Sequence, residues 1–327
     1  MQENTNAQVA GETNIQKITR CVKSVLPSTT KTCIWLIKIT TGVSFAILFL
    51  KYFNILPWFS NLLSPVFNSL GLPGEAALPF VTGYFVNVYA AISVAVSFDF
   101  DVRVLTILST MILCAHNMIT ETAVQKKTGT SAVRIVIIRT VSAFTLAFFL
   151  NKLLPGEVMK SLGAVQQQDV GFMVMFKDWL RSTLGVIIKM TTLIYSLAIL
   201  QKLLAEYGVI RWISKFLRHF LAFFGLPART SFLWIVANTL GLAYGAAVMM
   251  EEVGNGNVTK RDIDLLNTHI CISHSNFEDL LLLTAMGATW YILLFSRWFA
   301  SFLLVWELRC EYYIKDKLFK KNTNFAR

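Results

Sequence analysis

Apolar residues in this chain gather into runs the length of whole helices, with the polar residues confined to short stretches between them. The runs 33–50, 131–150 and 288–308 each approach the roughly 20 apolar residues that carry a helix across the hydrocarbon core of a bilayer. The pattern predicts five elements in order. A long apolar helix lies near 33–53, an amphipathic stretch over 55–70, and an apolar segment rich in small residues over 76–96. A polar-spotted helix follows over 102–125, then a plain spanning helix over 131–151. The same series recurs at 183–205, 209–224, 230–250, 261–286 and 288–308. Both amphipathic stretches stop at Gly-Leu-Pro (71–73 and 225–227), where glycine ends a helix and proline cannot continue one.

The recurrence holds residue by residue, as expected of a duplication. A single offset lays Trp58 on Trp212, Ser60 on Ser214 and the first Gly-Leu-Pro on the second. After a short insertion around 254–257, Thr110 meets Thr268, His116 meets His274, Gly129 meets Gly287 and Arg139 meets Arg297. These residue types are scarce enough here for their order to carry weight. The chain divides accordingly into a polar, basic, cytoplasmic N-terminal segment (1–30), a first repeat (31–154), a connecting loop (155–182), a second repeat (183–308) and a basic cytoplasmic tail (309–327).

Lys and Arg concentrate on one side of the membrane most completely when 76–96 and 230–250 enter and leave on the same face, so the positive-inside rule favours re-entrant segments and three crossings per half. An odd number of crossings inverts the second half relative to the first, as in many secondary transporters. The predicted fold is an all-α polytopic membrane protein. It has two inverted repeats, each with three spanning helices, an amphipathic interfacial helix and a re-entrant segment.

Composition narrows the class further. Of 327 residues, 55% are hydrophobic and 15% charged, against about 25% charged in soluble domains. The net charge of +11 sits at both ends and beside apolar runs, with no basic face interleaved with aromatics. That distribution fits anionic lipid head groups and orientation in the bilayer, and it excludes a nucleic-acid partner. The first apolar run begins too late for a cleaved signal peptide, so the first helix is expected to be retained. Five scattered cysteines (Cys21, Cys33, Cys114, Cys271, Cys310) fit reduced thiols.

The run GLPGEAALPFVTGYFVNVYAAISVA, continuing through VRVLTILSTMILCAH, resembles the Gate domain shared by ferrous-iron transporter B (FeoB) and the nucleoside-recognition family. That family includes the spore maturation proteins and is related to concentrative nucleoside transporters. The resemblance is strongest over 71–114 and extends more weakly to 225–274. Where the iron transporters read Gly-Phe-Gly-Cys-Asn-Val-Pro-Ala, this chain has Gly83-Tyr84-Phe85-Val86-Asn87-Val88-Tyr89-Ala90. Gly83, Asn87, Val88 and Ala90 match, Val86 and Tyr89 replace the cysteine and proline, and Cys114 falls where that family has a second cysteine. No phosphate-binding Gly-x-x-x-x-Gly-Lys-Ser/Thr run occurs. The resemblance implies a Gate-type membrane fold; a bacterial inner membrane is expected, multi-pass, and the positive-inside count places both termini on the cytoplasmic side. It does not by itself imply ferrous iron.

Candidate function rests on polar interruptions of the apolar helices. His116 and His274 occupy twin positions, and Glu121 falls opposite Asp279. Ionisable groups within a bilayer face a cavity or a partner. On a continuous helix His274 and Glu278 share a face at i, i+4, whereas Glu121 points about 140° from His116. Asn87 and Asn238 lie in the small-residue segments, where they either offer amides to a solute or satisfy broken backbone. Arg139 and Arg297 are expected to pair with Glu121 and Asp279; mid-helix Arg297 is the better placed, while Arg139 can snorkel. The alternatives are a solute or proton site, interhelical hydrogen bonding, and a metal, for which no compact ligand spacing speaks. Glu75, Glu251 and Glu252, at segment ends, are expected in solvent.

No Ser-His-Asp order or metal-hydrolase motif stands out, so no enzymatic activity and no cofactor are expected. The chain reads as a secondary transporter or channel for a small polar solute such as a nucleoside or ion. Its site is expected at the repeat interface, with His116, His274, Glu121, Glu278, Asp279, Asn87 and Asn238 as solute-binding residues. The alternative is a non-transporting Gate-domain component acting through a partner, a second copy or a second Gate-domain protein.

Overall fold

The computed structural model describes residues 13–53, 55–156, 171–239 and 241–325, and every regular element among them is helical. The described residues hold fourteen α-helices: α1 (Asn14–Tyr52), α2 (Leu56–Ser69), α3 (Ala77–Phe85), α4 (Val88–Ala95), α5 (Val102–Ala115), α6 (Met118–Lys127) and α7 (Ala132–Leu153), then α8 (Phe172–Glu206), α9 (Val209–Phe223), α10 (Ser231–Thr239), α11 (Leu242–Gly254), α12 (Lys260–Ser273), α13 (Glu278–Ala285) and α14 (Trp290–Phe325). The second seven repeat the first seven in order and kind, down to a 3₁₀ turn before α3 (Gly74–Ala76) and before α10 (Ala228–Thr230). Glu75, expected in solvent, is buried in the first of these turns.

Among the described residues five helices are long and apolar enough to cross a membrane: α1, α5 with α6 taken together (Val102–Lys127), α7, α8, and α14 over Trp290–Leu318. The expectation was six. The twin of α5–α6 is not among them: a four-residue break divides it into α12 (14 residues) and α13 (8 residues), each too short by itself. The expected segment boundaries also move. α1 starts inside the polar N-terminal segment, where Thr13 and Gln16 form a capping box. α8 starts inside the connecting loop and α14 runs on through the basic tail. Residues 1–12 and 157–170 of those segments, and the last two of the tail, lie outside the described residues.

Both Gly-Leu-Pro turns stop their helix in the same way. Gly71 and Gly225 take left-handed backbone (φ 69° and 76°). The next amide reaches back to close the last turn, Leu72 to Phe67 O at 3.0 Å and Leu226 to Leu221 O at 3.1 Å. This is the Schellman arrangement that glycine allows. α9 then lies with Ile210 and Leu221 buried while Trp212 and Phe216 stay exposed beside Lys215 and Arg218, as an interfacial helix would.

The small-residue segments are helical hairpins. Each arm of the first has eight or nine residues, about 12–14 Å, less than half of a hydrocarbon core. The arms close on a glycine–alanine contact. A Cβ built on Gly83 would lie 3.0 Å from Ala91 Cβ, and one on Gly245 would lie 3.0 Å from Ala237 Cα. Gly83 and Ala237 are twins, as are Ala91 and Gly245, so the glycine has changed arms while the close approach has stayed.

α1 and α8, the first helix of each half, pack antiparallel. Trp179 donates to Ser44 Oγ (3.2 Å), Tyr195 meets Thr30 (2.6 Å), and Glu206 pairs with Arg20 (2.9 Å). Near the molecular centre α5 and α12 pack against each other and against both α7 and α14, leaving α5 buried from Thr106 to Ala115. All five cysteines are free.

If the hairpin contact controls packing, Gly245→Ala should lower stability by about 1–3 kcal/mol through overpacking against backbone. Gly185→Ala on α8, where no atom lies within 4 Å of the added carbon, should be neutral or mildly stabilising. Thermal unfolding in detergent compares the two; equal shifts would mean that the hairpin arms part freely.

Candidate functional site

The two polar-spotted helices are not continuous: each breaks at its histidine. α5 ends with His116 and α12 with His274 as extended cap residues. The next residues, Asn117 and Ser275, adopt left-handed backbone (φ 48° and 54°), a conformation that costs a non-glycine residue on the order of 1–3 kcal/mol. The break overturns the shared face of His274 and Glu278, since four residues separate the end of α12 from the start of α13. It also removes the angular offset expected between Glu121 and His116. α6 restarts in a new direction, and Glu121 turns back onto the cap.

Ending a helix in a buried place strands its last carbonyls. Here a fully buried arginine answers each break. Arg139 donates from Nε to Cys114 O (2.9 Å) and from Nη2 to His116 O (2.6 Å). Arg297 donates from Nη1 to Ile272 O (3.2 Å) and His274 O (3.0 Å). Cys114 and Ile272 are twins, as are the two histidines, so the same contact occurs in both halves. Both guanidiniums have no solvent exposure. Their charge meets the negative end of a helix dipole, where a cation is favoured.

The two imidazoles meet with ring centroids 5.1 Å apart. Each Nδ1 points at the carbonyl four residues back, Ile112 O at 3.0 Å and Ile270 O at 2.8 Å. A carbonyl only accepts, so Nδ1 carries the hydrogen and Nε2 is turned inward. Glu121 bridges the pair. Its Oε1 lies 3.1 Å from His116 Nε2, and its Oε2 lies 3.1 Å from His274 Nε2 and 2.8 Å from Arg139 Nη2. Asp279 Oδ2 completes the group, 3.3 Å from His116 Nε2. In the singly protonated tautomer each Nε2 presents a lone pair to a carboxylate oxygen. Such a contact requires a cation between the two, either a proton or a metal.

The charge pairs differ from expectation. Arg139, thought free to snorkel, is the one paired with a carboxylate. Arg297 has no carboxylate within salt-bridge distance among the described residues; its Nη2 takes Asn276 Oδ1 (3.0 Å), and Asp279 turns to His116 instead. Glu278 accepts a hydrogen bond from Tyr89 of α4 and stands beside the histidine group without touching it. Asn87 caps α4 through Ala90 N (2.9 Å), satisfying broken backbone. Asn238 accepts from Asn276 Nδ2 (2.6 Å) and donates to Trp234 O (2.9 Å), so it reaches Arg297 through one amide. Neither Asn276 nor Tyr89 was expected as a site residue; Tyr89 was noted only as the replacement for the iron transporters' proline. Asn276 stands two residues after a singled-out histidine, which is the one signal it carries.

A family model described as Gate, nucleoside recognition, matches residues 33–153. That segment, just over a third of the chain, is similar to the Gate domain. It runs from within α1 to the end of α7 and therefore holds His116, Glu121 and Arg139. The uncharacterized membrane protein YvoD of Bacillus subtilis (strain 168) is 29% identical over 263 residues, covering 79% of this chain and 84% of that protein. A match of that length extends well beyond the Gate domain into the second half. No solved structure matches.

The ion pair between Arg139 and Glu121 has a measurable signature. Arg139→Ala strands a buried carboxylate and should cost about 3–5 kcal/mol. Adding Glu121→Gln should restore on the order of 1 kcal/mol or more of that loss. Asp279→Asn should give no such relief to Arg297→Ala, whose partners are carbonyl and amide oxygens. Thermal unfolding of the single and double variants decides; additive losses for Arg139 and Glu121 would mean that they do not act as a pair.

Proposed function

We propose that this Gate-domain membrane protein is a secondary transporter or channel for a small polar solute or ion. Its two halves are inverted in the bilayer, and its site lies where the two broken helices meet. The observation that carries the reading is the contact of His116 and His274, one from each half, around Glu121. Transporters built on inverted repeats place their site at the repeat interface, on discontinuous helices near mid-membrane. The antiparallel packing of α1 and α8 supports inversion, because equivalent helices crossing in opposite directions put equivalent loops on opposite faces. The hairpins α3–α4 and α10–α11 are too short to cross and support the re-entrant placement. The touching side chains at the seam leave room for an ion and suit a closed state; a nucleoside would need them to part.

Reconstituted protein should accumulate at least one of a panel of nucleosides and divalent cations, and Glu121→Gln should abolish that flux while leaving the protein folded. Absence of flux for every class would favour a component acting through a partner. Topology gives an independent check on twin loops. With both termini cytoplasmic, a cysteine at Asp99 should react with a membrane-impermeant maleimide added outside cells, and one at Asn255 should not. Labelling of both from one side would rule out inversion.

A further inference from the structure

We propose that His116, His274 and Glu121, with Asp279 as fourth ligand, bind one divalent first-row transition cation of the Zn²⁺ type at the seam between the halves. The three residues each turn a ligand atom to a common point, all within 4.8 Å of one another. The contacts His116–Glu121, His274–Glu121 and His116–Asp279 measure 3.1, 3.1 and 3.3 Å. Donors around a tetrahedral Zn²⁺ at roughly 2.0–2.1 Å stand about 3.3 Å apart, so little movement is needed to admit the ion.

The surroundings match the requirements of such a site. Both Nδ1 atoms are held by backbone carbonyls, the outer-shell bond that orients a ligating imidazole and fixes its tautomer. Glu121 Oε2 also takes Arg139 Nη2 at 2.8 Å. Two inward atoms, Glu121 Oε2 and His274 Nε2, lie 3.1 Å apart, buried, and neither makes a properly directed hydrogen bond. A cation would sit between the unbonded His274 Nε2 and Glu121 Oε2, which also pairs with Arg139. Around the cluster, Glu121, Asp279 and Glu278 oppose Arg139 and Arg297, so neutral imidazoles leave an excess of negative charge. Two imidazoles with carboxylates suit Zn²⁺ and its first-row neighbours better than Mg²⁺ or Ca²⁺, which take six or more oxygens. The nearby thiols are not offered: Cys271 turns to Thr268 O (3.2 Å).

This deepens the transporter reading by naming a cargo class, and it rests on that reading only for the ion's role as cargo, not for binding. The full-length protein in detergent, stripped with a chelator, is titrated with Co²⁺ and then Zn²⁺. The expected result is one Co²⁺ per chain with the intense absorption of a tetrahedral site, displaced by Zn²⁺, and a Zn²⁺-dependent rise in thermal stability. His274→Ala and Glu121→Gln should weaken binding by ~100-fold or more and lose that rise. A wild-type protein without the tetrahedral band overturns the proposal, as does a band unchanged in folded variants; if the variants do not fold, the wild-type spectrum decides. Nucleoside uptake by a protein that binds no Co²⁺ overturns the metal site and leaves transport standing. Co²⁺ binding without flux of any solute upholds the site and removes the transporter reading.

Discussion

A helix that stops inside a bilayer leaves carbonyl oxygens with neither water nor a next turn to bond them, and most membrane helices avoid the problem by continuing. Here two helices stop in the middle of the molecule, and a buried guanidinium takes the exposed carbonyls of each. Much else follows from that contact. α7 must lie against α5, and α14 against α12, for Arg139 and Arg297 to reach. The strained residues Asn117 and Ser275 are tolerable because the carbonyls ahead of them are already bonded. Each histidine, as the cap residue of a stopped helix, is aimed toward the other half and not along its own face.

The same frame carries different chemistry in its two copies. Arg139 completes its bonds with Glu121, a carboxylate; Arg297 completes its bonds with Asn276, an amide. The carboxylate at the twin position, Asp279, is thereby freed from its own arginine and crosses to the histidine of the first half. Glu121 likewise reaches the histidine of the second. The seam is held by contacts that neither half makes alone, so the cluster belongs to the interface. Two similar scaffolds with different residues at a few polar positions make one asymmetric centre. The hairpins show the same freedom on a smaller scale, with the close contact kept while glycine and alanine trade arms.

Where each element lies was readable from the chain because the reasons are local. Apolar run length, Gly-Leu-Pro and small-residue segments set each expected element over helices of the structure, although α1, α8 and α14 run well past the expected ends. The order of scarce residues set the two halves side by side, and the twin histidines, acids and arginines singled out in it lie together in the structure. Residues 33–153 were recognisable as Gate-like from Gly83, Asn87, Val88 and Ala90. The sequence alone also read 261–286 as one helix, which the structure divides into α12 and α13.

What only the tertiary structure decided is which partners the marked residues take. Periodicity presumes that a helix continues, and it therefore put Glu121 on the wrong side of His116 and joined His274 to Glu278. The break at each histidine depends on an arginine about two dozen residues away, and no local pattern registers a bond of that span. The pairing of Arg139 over Arg297 turned on Asn276 against Glu121, a choice made across helices. The sequence by itself determined two similar halves and the residue types at their centre. The meeting of those residues in one cluster was decided by the need to satisfy broken backbone where no water reaches.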